Sequence, residues 1–294
     1  MDHPVYKKDM ALKENLMVCI TYYHRSIAAY ALRQTHLHEN IHEIRLCFKR
    51  LRSILRLFRP ALSHSDYRRW NEFYRDLSRC LSQMRDQTAC IEVVTDLLKG
   101  RRSPQSQRML SGYRSLLVQR RKVYFQEHHP RQVFETIVTA LKKQEDLLPL
   151  MQIEGEAQQV FSKGLVRVYK QARKLYSRCL LQKNDHDLHQ WRKQIKYLWY
   201  QLVYLTPLWP GMIRAWTAEF QSLSKVLGNQ HDRVIMVALL LGEKEWVARN
   251  RRASQNTIQS LRLQSKKLTH KALVAGSRLF EPNHSLENFI RINL

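Results

Sequence analysis

The chain repeats itself, and the repeat constrains its fold more than any other feature. Residues 41–60 read IHEIRLCFKRLRSILRLFRP, and residues 188–207 read LHQWRKQIKYLWYQLVYLTP. Registering His42 on His189 places Ile41, Ile44, Phe48, Leu51, Leu55 and Phe58 on Leu188, Trp191, Ile195, Leu198, Leu202 and Leu205. Arg45 then falls on Arg192, Lys49 on Lys196 and Pro60 on Pro207. Apolar spacing alone aligns any two amphipathic helices, but it does not bring shared polar residues with it. A second pair follows in the same order: LSRCLSQMRD at 77–86 matches LSKVLGNQHD at 223–232, each running into an apolar stretch. The repeat predicts one domain over 1–294 made of two homologous halves, 1–150 and 151–294. They join near 147–156, where Pro149 and Gly155 weaken helix.

The halves read as helical. Only 8 Gly and 8 Pro occur in 294 residues, far fewer than a loop-rich or all-β chain needs. Periodicity predicts helices over 12–33, 39–58, 66–98 (broken near Asp86), 107–125 and 131–148, then 157–181, 187–205, 216–241 and 254–279. Pro60, Pro207 and Pro210 read as helix stops. Asp86 and Asp232, at equivalent places after Arg85 and His231, are expected to cap the helices that follow them, Gly228 weakening the one before Asp232. Their other reading is to orient basic side chains.

Charge sets the class of partner. Fifty Lys and Arg against 25 Asp and Glu leave a formal charge of +25 and a pI near 10.2. A chain so charged repels itself unless a polyanion neutralises it: nucleic acid, an anionic membrane surface or a phosphate polymer. On a helical wheel of 41–58, the apolar residues fill an arc of roughly 160–260° from His42, while Arg45, Lys49, Arg52 and Arg56 fall at roughly 280–340°. The basic stripe therefore borders the core seam for about 20 Å. The second copy carries His189, Arg192, Lys193 and Lys196, but Trp199 and Val203 replace the counterparts of Arg52 and Arg56, so its stripe is shorter. A merely solvated face would intersperse more acid than Glu39 and Glu43.

Other chemistry finds little support. The five cysteines are odd in number, widely spaced and without a CxxC pair, which fits reduced side chains rather than disulfides or zinc. The N-terminal stretch lacks an apolar leader, and no apolar run reaches ~18 residues, so a cytoplasmic protein without membrane insertion is expected. The string DHDLH at 185–189 resembles a metal cluster, yet His186 has no first-half counterpart. HExxH, P-loop, GxSxG and GxGxxG motifs are absent, and neither a cofactor nor a catalytic role is expected.

Taken together, HxxR followed by Lys or Arg at helical spacing and then a downstream LGxxHD-type segment, twice over, resembles the CHAD family (conserved histidine α-helical domain). The motifs are LHQWRKQIKYLWY and LGNQHDRVIMV in the second half, IHEIRLCFKRLRSILRLF and QMRDQTACIEVV in the first. The resemblance spans nearly the whole chain. It implies an all-α fold of two pseudo-symmetric four-helix-bundle-like halves around a basic central channel, which binds inorganic polyphosphate without catalysis and can direct the protein to polyphosphate granules. Carried over by position, the channel residues are His42, Arg45, Lys49, Arg52 and Arg56, with His189, Arg192, Lys193 and Lys196. Arg121, Lys122, Lys266 and Lys267 on the fourth helices complete it. Ser82 in place of the second half's Gly228, and Trp199 where the family favours Arg, imply a lopsided channel. The competing reading is an RNA- or DNA-binding helical protein, although the stripe offers neither stacking aromatics nor base-reading side chains. Protein partners are not legible.

Overall fold

The computed structural model describes residues 3–100 and 103–281, and among these there are helices and no strand. In order they are α1 (Leu12–Leu32), α2 (Leu37–Leu57), α3 (His64–Cys80), α4 (Ser82–Leu98), α5 (Pro104–His128), α6 (Pro130–Glu145), α7 (Ala157–Gln182), α8 (Asp185–Leu205), α9 (Pro210–Gly242), α10 (Lys244–Arg249) and α11 (Arg251–Phe280). Short 3-10 turns, Arg59–Ala61 and Thr206–Leu208, close α2 and α8 at the two matched prolines. The expected join is a loop between α6 and α7, turned at Gly155 with φ +103°.

Local chemistry explains the helix starts. Ser63 Oγ accepts from Asp66 N (3.0 Å), so α3 begins two residues before the expected Asp66. Ser103 caps α5 ahead of Pro104, and Asn184 caps α8 by accepting from Asp187 N at 2.8 Å. Pro210 ends nothing: it occupies the first turn of α9, where its missing N–H costs no bond.

The capping role expected of Asp86 and Asp232 does not hold. The first-half helix breaks at Leu81 (φ −98°, ψ 4°), which places Asp86 inside α4. In the second half nothing breaks, and Asp232 lies within the 33-residue α9. Gly228 disfavours helix by only ~1 kcal/mol, and the apolar stripe Phe220, Leu223, Leu227, Met236 and Leu240, buried along α9, outweighs that.

The helices enclose two separate apolar clusters. The larger joins α1, α2, α3, α6, α7 and α8 with parts of α9 and α11, around Phe48, Trp70, Tyr74, Phe161, Trp191 and Phe220. The smaller joins the C-terminal parts of α4 and α9 to the N-terminal parts of α5 and α11, around Val94, Tyr113, Met236 and Leu261. At the heart of the molecule α2 crosses α8. Ser53 Oγ donates to Tyr197 O (2.9 Å), and Gln201 Nε2 donates to Ser53 O (3.0 Å), with Ser53 and Gln201 both fully buried. Arg50 lies over the Tyr200 ring at 5.6 Å. In the register of the repeat, Ser53 is the counterpart of Tyr200 and Arg50 of Tyr197, so the contact of Ser53 with Tyr197 and that of Arg50 with Tyr200 are mirror copies.

Candidate functional site

The polar edges of α2 and α8 meet beside this crossing. Lys49 of α2 sits in the field of Lys196 and Arg192 from α8, Arg45 from its own helix and Arg85 from α4. Burial first, then these like charges, push its ammonium down to about 7. Lys196 is pushed down to about 8 by burial and by Arg192 and Arg85, with Asp232 opposing. Lys49, His42 and Lys193 are nevertheless exposed to solvent. Side chains that water reaches, but that protein mass still desolvates, line a recess rather than a convex surface.

The histidines share this environment. His42 is driven down to about 4 by burial and Arg85, with Glu92 opposing. His189 and His231 are also near 4, each desolvated and each beside cations, with ring centroids 4.4 Å apart. At neutral pH all three are uncharged.

The two arginines are held by different means. Arg45 Nη1 donates to Ser82 Oγ at 2.7 Å and to the carbonyl of Ser78, and Asp86 supports its charge. Its counterpart Arg192 has Gly228 where Arg45 has Ser82; a Cβ there would stand 3.7 Å from Arg192 Nε, so the glycine leaves room beside the guanidinium. Asp232 supports Arg192 as Asp86 supports Arg45. Asp86 and Asp232 thus act on basic side chains rather than on helix ends. Arg45 Nε, Arg192 Nε and His189 Nδ1 are buried without a hydrogen-bond partner. A buried guanidinium N–H without an acceptor is costly, and two of them beside an unpartnered imidazole nitrogen in one basic cluster suit an anionic ligand.

The remaining expected residues divide. Arg52 and Arg56 continue the α2 stripe past Lys49, alongside the crossing. Arg52 Nε donates to Asn71 Oδ1 (3.2 Å), and Arg56 lies over the Tyr197 ring at 4.2 Å. Arg121 of α5 is half-buried in the field of Glu92, the carboxylate that Arg85 grips through two bonds of 2.8 and 2.6 Å. Lys122 is exposed on α5. Lys267 is exposed on α11, while Lys266 lines a separate cavity between α9 and α11 that contains none of the α2 cations. Two residues that the sequence reading passed over belong to the cluster, Arg85 and His231. Their signal was present, since they occupy equivalent places in the second repeated pair.

The second stripe is shorter for a structural reason as well. Trp199 stacks on Tyr200 (5.0 Å), and both line a small cleft with His3, Pro4 and Val203. Tyr6 N donates to Tyr204 O at 2.8 Å, so the N-terminal segment lies where a longer stripe would run. The DHDLH string is taken apart by the fold. Asp187 is buried in the cap of α8 and pairs with Arg178 (2.8 Å), Asp185 accepts from Gln230 (2.9 Å), and His186 is exposed. Among the described residues, no three His, Cys, Asp or Glu are placed to share a metal ion, and no helix is long and apolar enough to cross a membrane.

A helical protein in which two basic helix faces converge on one recess is the class that fold and site define. The CHAD domain family matches residues 23–241, and the chain belongs to that family. It is similar to the crystal structure of the CHAD domain from the plant Ricinus communis, with 17% identity over 99% of this chain and 94% of that one, and a TM-score of 0.65. At that identity the likeness concerns the fold alone. No curated protein matches the chain.

Proposed function

We propose that the recess between α2 and α8 binds inorganic polyphosphate without turning it over, and that this holds the protein on polyphosphate-rich bodies in the cytoplasm. The observation that carries the reading is the convergence of Arg45, Lys49, Arg192 and Lys196, with buried arginine N–H groups that lack an acceptor. A linear polymer of phosphates supplies closely spaced negative charge and acceptors along its length. Arginine forks its oxygens, and lysine adds point charge. His42, His189, His231 and Arg85 line the same recess, Lys193 stands at its rim, Arg52 and Arg56 extend it along α2, and Arg121 borders it through Glu92. Lys122 and Lys267 contribute long-range charge from the exposed faces of α5 and α11. The halves 1–150 and 151–294 act as duplicated grips on one chain. The non-catalytic reading rests on the residue set: Asp86 and Asp232 support Arg45 and Arg192, and Glu92 is held by Arg85.

Competition tests the choice of ligand. Long-chain polyphosphate, labelled and bound, should resist displacement by RNA or DNA at matched phosphate concentration; equal displacement by either would transfer the reading to a nucleic-acid-binding protein. Incubation with polyphosphate and Mg²⁺ should release no phosphate, and steady release would overturn the non-catalytic part.

A further inference from the structure

The cavity between α9 and α11 is built differently from the recess of α2 and α8. It encloses about 720 Å³, within the range of small-molecule sites. Arg262 and Lys266 stand one turn apart on α11, facing Arg233 of α9 and Lys183 of the α7–α8 turn. The 30 residues of α11 include no Asp or Glu, so its own surface does nothing to neutralise them. Arg233 meets Asp96 only at 3.7 Å, and its Nε is buried without a partner.

Two further features separate this cavity from a plain phosphate site. Val234, Val237 and Leu273 give it an apolar floor. Asp185 places a carboxylate on its wall, fixed by Gln230 Nε2 at 2.9 Å. A bare phosphate chain would leave the floor unused and be repelled by the carboxylate. A ligand with a phosphate tail, a flat apolar body and hydrogen-bond donors uses all three. We propose that this cavity binds a nucleoside polyphosphate. Its phosphates lie on Arg262, Lys266 and Arg233, its nucleoside covers Val234, Val237 and Leu273, and Asp185 accepts from a ribose hydroxyl or an exocyclic amine.

Calorimetry on the full chain tests this, with Arg45→Glu/Arg192→Glu as the background that silences the α2–α8 recess. In that background ATP or GTP should bind at least about tenfold more tightly than inorganic tripolyphosphate. Adding Arg262→Ala/Lys266→Ala, both on exposed positions, should weaken the nucleotide by about tenfold or more. The same pair placed in the native protein should leave polyphosphate affinity within about twofold. Failure of ATP and GTP to bind, tripolyphosphate binding as tightly as either, or nucleotide affinity indifferent to the α11 pair would each overturn the proposal. Polyphosphate binding by the native protein is read separately, so the two proposals fail independently.

Discussion

His42, His189 and His231 carry a consequence for pH. Each has a folded-state pKa near 4 against an ordinary value of 6.5, because burial and neighbouring cations oppose the imidazolium. Between pH 6.5 and 4 the unfolded chain therefore binds more protons than the folded one, and stability falls as the pH drops through that window. A polyanion in the recess reverses the local field and raises all three. We expect ligand-free protein to lose thermal stability from pH 6.5 to 4, polyphosphate to restore much of it, and binding near pH 5.5 to take up protons. Calorimetry in buffers of different ionisation enthalpy measures that uptake, and a proton count of zero would remove the histidines from the site. Charge reversal belongs to this scale too. Arg45→Glu with Arg192→Glu should weaken polyphosphate by about a hundredfold or more while circular dichroism stays helical. Retained affinity would place the ligand elsewhere.

At the scale of elements, the recess exists because α2 and α8 cross closely while their basic edges stay outside the apolar seam. The seating of α2 also involves α7, whose Gly164 lies against the end of α2 at Leu57. A Cβ at 164 would stand 2.0 Å from the Leu57 carbonyl oxygen, a backbone atom unable to swing aside. Gly164→Ala should therefore destabilise the fold by about 3 kcal/mol in chemical denaturation, despite alanine's better helix propensity. A neutral or stabilising result would mean that α7 shifts freely against α2. The α4 and α9 helices show why element boundaries were only partly legible. The matched segments 77–86 and 223–232 have the same pattern, yet one chain breaks at Leu81 and the other runs straight on. Local propensity does not separate those outcomes, since the helix-weakening Gly228 lies in the segment that runs on.

Across the whole molecule, the formal charge of +25 makes binding an electrostatic event. Contact with several phosphates releases their counterions, so the logarithm of affinity should fall linearly with the logarithm of salt concentration. We expect a loss of about a thousandfold or more between 50 and 200 mM for a ligand meeting six or more cations. The slope should shrink in Arg45→Glu/Arg192→Glu; a salt-independent affinity would exclude the cationic recess as its source. The two apolar clusters also make sense at this scale. A row of cations cannot be buried in one continuous core, so the fold divides its apolar contacts and leaves the basic edges of α2 and α8 where water and a ligand can reach them.

The sequence by itself determined the helical class, the repeat and the residues of both basic stripes, because helix periodicity and charge are local properties that survive in a string. Arg45, Lys49, Arg192 and Lys196 were named from spacing alone. Only the tertiary structure decided that the two stripes face each other, because α2 and α8 are far apart in the chain and meet through Ser53, Tyr197 and Gln201. It also decided that Arg85 and His231 join them, and that Asp86 and Asp232 serve arginines instead of helix ends. Lys266, grouped with the channel by its sequence position, lies in a second cavity. Which side chains share a space depends on how helices pack, and a periodic pattern records only which face each helix buries.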